Sequence, residues 1–305
     1  MVKLCMGSLA ISPIARGVTQ EHALSVVRAA YDGGAGIIDT AEYYRNYALL
    51  MPALAALPNM RVITKTYAYD ETTAEASFGK ARRELGRDYI DYFLLHEQES
   101  IHTLRGHAGA ARFFRRKAGS RQIGRFGIST HRIEGVRAAV KYASEYGIGA
   151  VMAPLNMLGV GLSDGTLSEM IDALREAKAA GLDVFLMKAL AGGHLISRRD
   201  EAFRFILEQD YADYCAIGMA SAAEARYACA VFNNTAPSEG DAQTSLRADR
   251  RLMIEEGCIG CGACAERCGQ RAIVMDFGKA RAIADKCVQC GYCAAVCPEL
   301  VIKIM

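Results

Sequence analysis

Residues 61–96, RVITKTYAYDETTAEASFGKARRELGRDYIDYFLLH, hold one complete structural unit. A short apolar run, Arg61–Thr64, gives way to an amphipathic stretch, Thr72–Leu85. Gly86 follows, the residue best suited to ending a helix. A second apolar run, Tyr89–Leu95, begins three residues later. Short, mostly apolar runs without strict alternation are expected of parallel strands covered on both faces. The unit therefore predicts strand, helix, strand.

The same alternation extends in both directions. Further strand candidates are Lys3–Met6, Gly36–Asp39, Arg125–Ile128, Ala150–Ala153, Asp183–Met187 and Tyr214–Gly218. Helical stretches lie between and after them: Thr19–Asp32, Tyr47–Leu57, Leu104–Ala118, Ile133–Tyr146, Thr166–Ala180, Arg198–Gln209 and Ala222–Phe232. Helix-stop glycines recur at Gly33, Gly147 and Gly181. Eight strands and eight helices within roughly 230 residues predict a (β/α)8 TIM barrel. A doubly wound sheet would carry G-x-G-x-x-G after its first strand, and that is absent. The cluster Gly33-Gly34-Ala35-Gly36 follows a helix and precedes a strand, so it reads as a turn.

The chain of 305 residues, half of them apolar, can bury a large core. A net charge of +2 argues against a dedicated nucleic-acid surface. The opening residues have no apolar h-region, and no apolar run nears the roughly 20 residues of a membrane helix. These features predict a cytoplasmic protein without a membrane partner. Thr235–Arg250 is polar and poor in large apolar residues, and reads as a linker between a barrel at 1–234 and a small domain at 251–305.

That small domain holds eight of the eleven cysteines, in two copies of one pattern. The first is Cys258, Cys261, Cys264 and Cys268; the second is Cys287, Cys290, Cys293 and Cys297, followed by Pro298. Each cysteine of the second copy lies 29 residues after its counterpart. Zinc sites group cysteines in pairs, leaving a third cysteine two residues on without a role. Disulfides would need an oxidising compartment. The C-x2-C-x2-C-x3-C spacing resembles two-cluster bacterial ferredoxins, which implies an α+β fold with two [4Fe–4S] clusters. In that motif the last cysteine of each copy ligates the other cluster. The implied sets are Cys258, Cys261, Cys264 and Cys297, and Cys287, Cys290, Cys293 and Cys268. Gly269 stands where the first copy usually has proline, but that position is not a ligand. Cys5, Cys215 and Cys229 read as buried, inert thiols.

In a barrel of this kind chemistry sits at the C-terminal ends of the strands. Those ends carry Asp39 with Tyr44 just beyond, Lys65, and His96. Singly, each has a bland reading: a buried ion pair, a packed ring, a structural histidine. Together the segments Ile38–Tyr44, Ile63–Lys65, Tyr92–His96 and Gln122–Ser129 resemble the aldo-keto reductase family over roughly Met1–Asn234, including the subset with a C-terminal ferredoxin-like domain. The resemblance implies a catalytic tetrad of Asp39, Tyr44, Lys65 and His96 that reduces a small carbonyl compound or oxidises its alcohol. Tyr44 fits better than Tyr43 by its five-residue offset from the Asp. A tyrosine near pKa 10 is a poor acid at neutral pH, so Lys65 is expected to lower it while Asp39 balances the lysine.

On the nicotinamide side the resemblance implies cofactor contacts from Ser129, Gly218, Ser221 and Arg226. Other positions depart from it: Thr130, Met152, Met187 and Ala220 replace the usual Asn, Gln, aromatic and basic residues. NADPH held through Arg226 is one reading, because a guanidinium suits a 2′-phosphate; a different reductant is the other. His131 is expected to line the cofactor site, while His102, His107 and His194 read as loop residues. The basic run from Arg112 to Arg125 reads as a solvated helix end, or as a dock for an acidic, ferredoxin-type redox partner. The clusters are expected to pass single electrons to or from such a partner. A ferredoxin-like electron-transfer or assembly subunit with a degraded barrel is the competing function.

Overall fold

A computed structural model describes residues 1–15, 18–162, 164–247, 251–287 and 292–304. Eight parallel strands close a barrel in sequence order: β1 Lys3–Gly7, β2 Ile37–Asp39, β3 Arg61–Thr66, β4 Ile90–Leu95, β5 Ile123–Ser129, β6 Ile148–Pro154, β7 Asp183–Met187 and β8 Tyr214–Gly218. Closure comes from β1 pairing with β8, with Lys3 opposite Tyr214 and Gly7 opposite Gly218. The strand ends run one or two residues past several sequence expectations, as in β5 and β6. The helix expected over Leu104–Ala118 is two pieces, Ile101–Gly106 and Ala108–Gly119, broken at His107.

Burial follows the barrel's two shells. Inside it, Cys5, Ile37, Ile63, Tyr92, Leu94, Ala150, Met152, Phe185 and Tyr214 fill the lumen. A larger apolar layer joins the outer strand faces to the helices, with Phe93, Phe114 and Phe126 stacked in series. Helix ends are set by local chemistry. Asp70 and Thr73 form a reciprocal capping box at Glu71–Leu85, whose far end is closed by left-handed Gly86. Cys5, Cys215 and Cys229 are buried, and burial pushes the Cys229 thiol up to about 11, which suits an inert role.

The segment read as a linker is corrected by the structure. It contains a helix, Glu239–Arg247, packed on the last barrel helix, Ala222–Phe232. Ser238 accepts from the Asp241 amide, Asp241 pairs with Arg226, and buried Ser245 accepts from Arg199. Polar side chains thus hold this helix by pairing with barrel arginines, which composition alone does not reveal.

Two antiparallel ribbons frame the small domain: β9 Leu252–Ile254 with β12 Ile302–Ile304, and β10 Ile273–Asp276 with β11 Lys279–Ala282. This domain sits on the barrel's C-terminal mouth. Left-handed Gly193, beyond β7, leaves no room for a side chain against Ile304, and Leu300 presses on Gly161. Among the described residues no helix is long and apolar enough to cross a membrane.

A glycine in the barrel wall offers a stability test. A methyl group on Gly127 of β5 would overlap the Ala150 carbonyl oxygen and the Leu94 side chain. Overpacking of this kind costs about 1–3 kcal/mol. Gly127→Ala is expected to lower the denaturation midpoint of the barrel accordingly, with no loss of bound iron.

Candidate active site and cluster sites

Strand geometry converges the four proposed catalytic side chains on one place. Asp39 ends β2, Lys65 lies near the end of the adjacent β3, and His96 follows β4. Tyr44 is delivered by a short 3-10 turn, Glu42–Tyr44, closed by left-handed Arg45. The loop is anchored from below: Thr40 donates to Asn46 at 2.7 Å, and Asn46 donates to the Ser8 hydroxyl at 3.0 Å. All three anchoring residues are fully buried.

Lys65 is 1% exposed and donates to Asp39 Oδ1 at 2.5 Å and to the Thr40 carbonyl at 2.8 Å. Its ammonium lies 4.9 Å from the centroid of the Tyr44 ring, which supports Tyr44 over Tyr43 as the lysine's neighbour. Burial pushes the Asp39 carboxyl above its ordinary value, against the pull of Lys65. His96 packs edge-on to Tyr44 at 6.2 Å and stacks on Tyr67 at 4.6 Å. Its Nδ1 is buried and has no hydrogen-bond partner among the described residues.

The expected lowering of Tyr44 by Lys65 is not what the structure has. Burial, then Asp39, Glu255, Tyr67 and Glu97, push the phenol well above its usual range. Lys65 is hydrogen-bonded to Asp39, and Tyr44 rests as a protonated hydroxyl. His96 is held neutral, first by burial and then by Lys65, Lys303 and Lys188.

These residues line a cavity of about 530 Å³, enough for a drug-sized molecule. Ser129, Gly218, His131 and Met187 share its wall. Ser221 and Arg226 are not on that wall. Ser221 caps the helix Ala222–Phe232 by accepting from the Glu224 amide. Glu224 in turn accepts from the Ala220 amide, and Arg226 grips Asp241 through both Nε and Nη2. Of the two residues expected to meet cofactor phosphates here, Arg226 is thus engaged by a carboxylate of the chain itself and Ser221 by a backbone amide.

Sequence reasoning missed the other half of the cavity. Glu255, Pro298, Glu299, Leu300, Val301 and Lys303 of the small domain form part of its wall. Lys303 and Glu255 are hydrogen-bonded across the β9–β12 ribbon, 48 residues apart in sequence. Glu97, next to His96, accepts from the Tyr67 hydroxyl at 2.7 Å and is left-handed at φ 53°. Its position beside a strand-end histidine was the one available signal.

In the small domain Cys258, Cys261, Cys264 and Cys297 line a single small cavity. Cys293 has Cys268 and Cys287 as neighbours. Cys290, assigned to that second set, lies outside the described residues. The exchange of fourth ligands between copies thus fits the geometry, as do amides aimed at sulfur: Ala280 donates to Cys258 Sγ at 3.4 Å, and Ala272 to Cys268 Sγ at 3.3 Å.

A parallel eight-stranded barrel with this mouth, fused to paired four-cysteine repeats, defines an oxidoreductase carrying an iron–sulfur domain. The chain belongs to the aldo/keto reductase family, whose model matches residues 3–238, and a 4Fe-4S dicluster domain model matches residues 257–302. The holo form of an aldo-keto reductase from Bacillus halodurans superposes with a TM-score of 0.64 at 16% identity, over 80% of this chain and 91% of that one. A glycerol dehydrogenase from Gluconobacter oxydans gives 0.61 at 17%, over 79% and 89%. An aldo-keto reductase from a Medee basin deep-sea metagenome library gives 0.58 at 17%, over 81% and 90%. At these identities the likeness is one of fold. No curated protein matches the chain.

The neutral state of His96 has a pH signature. The unfolded imidazole takes up a proton near its ordinary pKa, while the folded one does not. Stability from this group is present above about pH 6.5 and is lost as pH falls below it, by up to about 1.4 kcal/mol per pH unit. Denaturant unfolding of His96→Asn between roughly pH 7 and pH 5.5 should show a shallower loss than the native chain.

Proposed function

We propose that the barrel interconverts a small carbonyl compound and its alcohol, with Tyr44 as the proton donor to the carbonyl oxygen. The observation that carries this reading is the buried Lys65–Asp39 pair facing Tyr44 and His96 on one cavity wall. Reduction of a carbonyl leaves a developing alkoxide that needs a proton. The protonated phenol of Tyr44 supplies it. The Lys65 ammonium, fixed by Asp39 and Thr40, stabilises the tyrosinate left behind. Neutral His96 has an imidazole N–H to orient the carbonyl oxygen. The small domain covers the mouth and keeps water from the reacting atoms.

Two [4Fe–4S] clusters fit the cysteine sets described above, and when bound they supply one-electron transfer. Their placement supports a role in the barrel's redox chemistry. Residues 298, 299, 301 and 302, just beyond the ligand Cys297, line both the first cluster cavity and the barrel cavity. The basic stretch from Arg112 to Arg125 leads from a helix end into the start of β5, at the end of the barrel away from the small domain, so it is a poor dock for a redox partner of the clusters.

NADPH, held on the side of Ser129, Gly218, Ser221 and Arg226, is the family-based reductant. The Arg226–Asp241 pair and the Glu224–Ala220 contact favour a second reading, in which nicotinamide affinity is low and another two-electron reductant serves the barrel. The competing subunit function, with a barrel inactive toward carbonyls, is separated from both by turnover.

The tests use anaerobically reconstituted, full-length protein. Tyr44→Phe should lower carbonyl reduction by about 10²–10⁴-fold with unchanged iron and sulfide content; native-rate turnover by that variant would sink the assignment. Asp241→Asn, which frees the Arg226 guanidinium, should tighten NADPH binding by roughly ten-fold in equilibrium titration. An unchanged NADPH affinity in Asp241→Asn removes Arg226 from the cofactor site.

A further inference from the structure

The cations on the cavity wall are paired within the protein, with one exception. Lys65 has Asp39, and Arg132 Nε lies 3.0 Å from Glu99. Lys303 has Glu255, and Arg199 donates to Ser245 and to the Ala242 carbonyl. Lys188 lines the same cavity one residue beyond β7, and among the described residues its ammonium makes no hydrogen bond or ion pair. Its charge is felt by His96 and His131, which places it over the catalytic end of the cavity. Its backbone is left-handed at φ 60°, a conformation costly for a side chain other than Gly, Asn or Asp. An unpaired, half-buried ammonium on a strained strand end is poor design for stability alone.

We propose that Lys188 binds the carboxylate of the substrate, so that the cavity takes an oxo acid or hydroxy acid in preference to a neutral carbonyl compound. The proposal rests on the reductase reading only for the reacting end of the molecule. A monoanion matches the charge of the site: one cation is free, while Glu97, Glu99 and Glu255 nearby would oppose a dianionic phosphate. Burial and Lys303 bring Lys188 down to about 8, so an incoming anion would relieve a cation held in an unfavourable place. The left-handed backbone fixes where the side chain starts, and the small domain closes the space around it. Lys188 is thus a specificity-determining residue, separate from proton transfer at Tyr44.

Binding is measured by calorimetry on the reconstituted protein with butyrate, a monocarboxylate lacking a reactive carbonyl, and with neutral butyramide. Butyrate should bind more tightly than butyramide. Lys188→Met should weaken butyrate by about ten-fold or more, while Lys188→Arg keeps affinity within about three-fold. Iron and sulfide content reports folding; where Lys188→Met fails to hold clusters, Lys188→Gln takes its place. Equal binding of butyrate and butyramide, or native butyrate affinity in the Met or Gln variant, overturns the proposal. Inorganic phosphate binding more tightly than butyrate overturns the carboxylate assignment. The two readings fail separately. Butyrate binding through Lys188 without carbonyl turnover refutes the reductase chemistry and leaves the anion site standing. Turnover of neutral aldehydes without butyrate binding removes the anion site alone.

Discussion

Burying a charged lysine ammonium without a partner is costly, and Lys65 meets that constraint by its contact with Asp39. The pair joins β2 to β3 at the floor of the mouth, so neither strand can slip in register without stranding a charge. Breaking such a pair by removing one partner costs several kcal/mol, because the other charge is left uncompensated. The neighbouring features follow from it. The Thr40 carbonyl turns inward to take a second lysine proton, the loop behind it is tied down by Asn46 and Ser8, and that loop delivers Tyr44.

The small domain is more than an attachment to a finished barrel. Here the β9–β12 ribbon and the segment after Cys297 supply part of the cavity wall, and Lys303 and Glu255 reach the field around His96, Tyr44 and Lys188. The electrostatics of the barrel site are therefore not a property of the barrel alone. His96 stays neutral partly because of a lysine from the other domain.

Much of this was legible in the chain. Parallel strands covered on both faces must be short and apolar, and the run from Arg61 to Leu95 reads that way. Cysteine ligands are legible because a cubane cluster demands local spacing, and Cys258–Cys264 states it within seven residues. What was not legible depended on distant partners. The helix Glu239–Arg247 is polar and short, and its stability lies in Arg226 and Arg199, residues from other parts of the fold. The fate of Arg226 was hidden for the same reason: a guanidinium reads as a phosphate ligand until a carboxylate is found on it. Lys188 stood in plain sight after Met187, but its left-handed backbone and lack of a partner are properties of three dimensions.

The proposed exchange of ligands between the cysteine repeats has an architectural consequence. Each repeat alone offers three thiols to its cluster, so neither half of the domain is a unit that can be built or removed by itself. The cavity wall extends that interdependence into the barrel. The boundary at which one would cut the gene runs through the middle of the site, and a chain ending near residue 234 would be a barrel with its mouth open. The cavity, in this fusion, is the work of both domains.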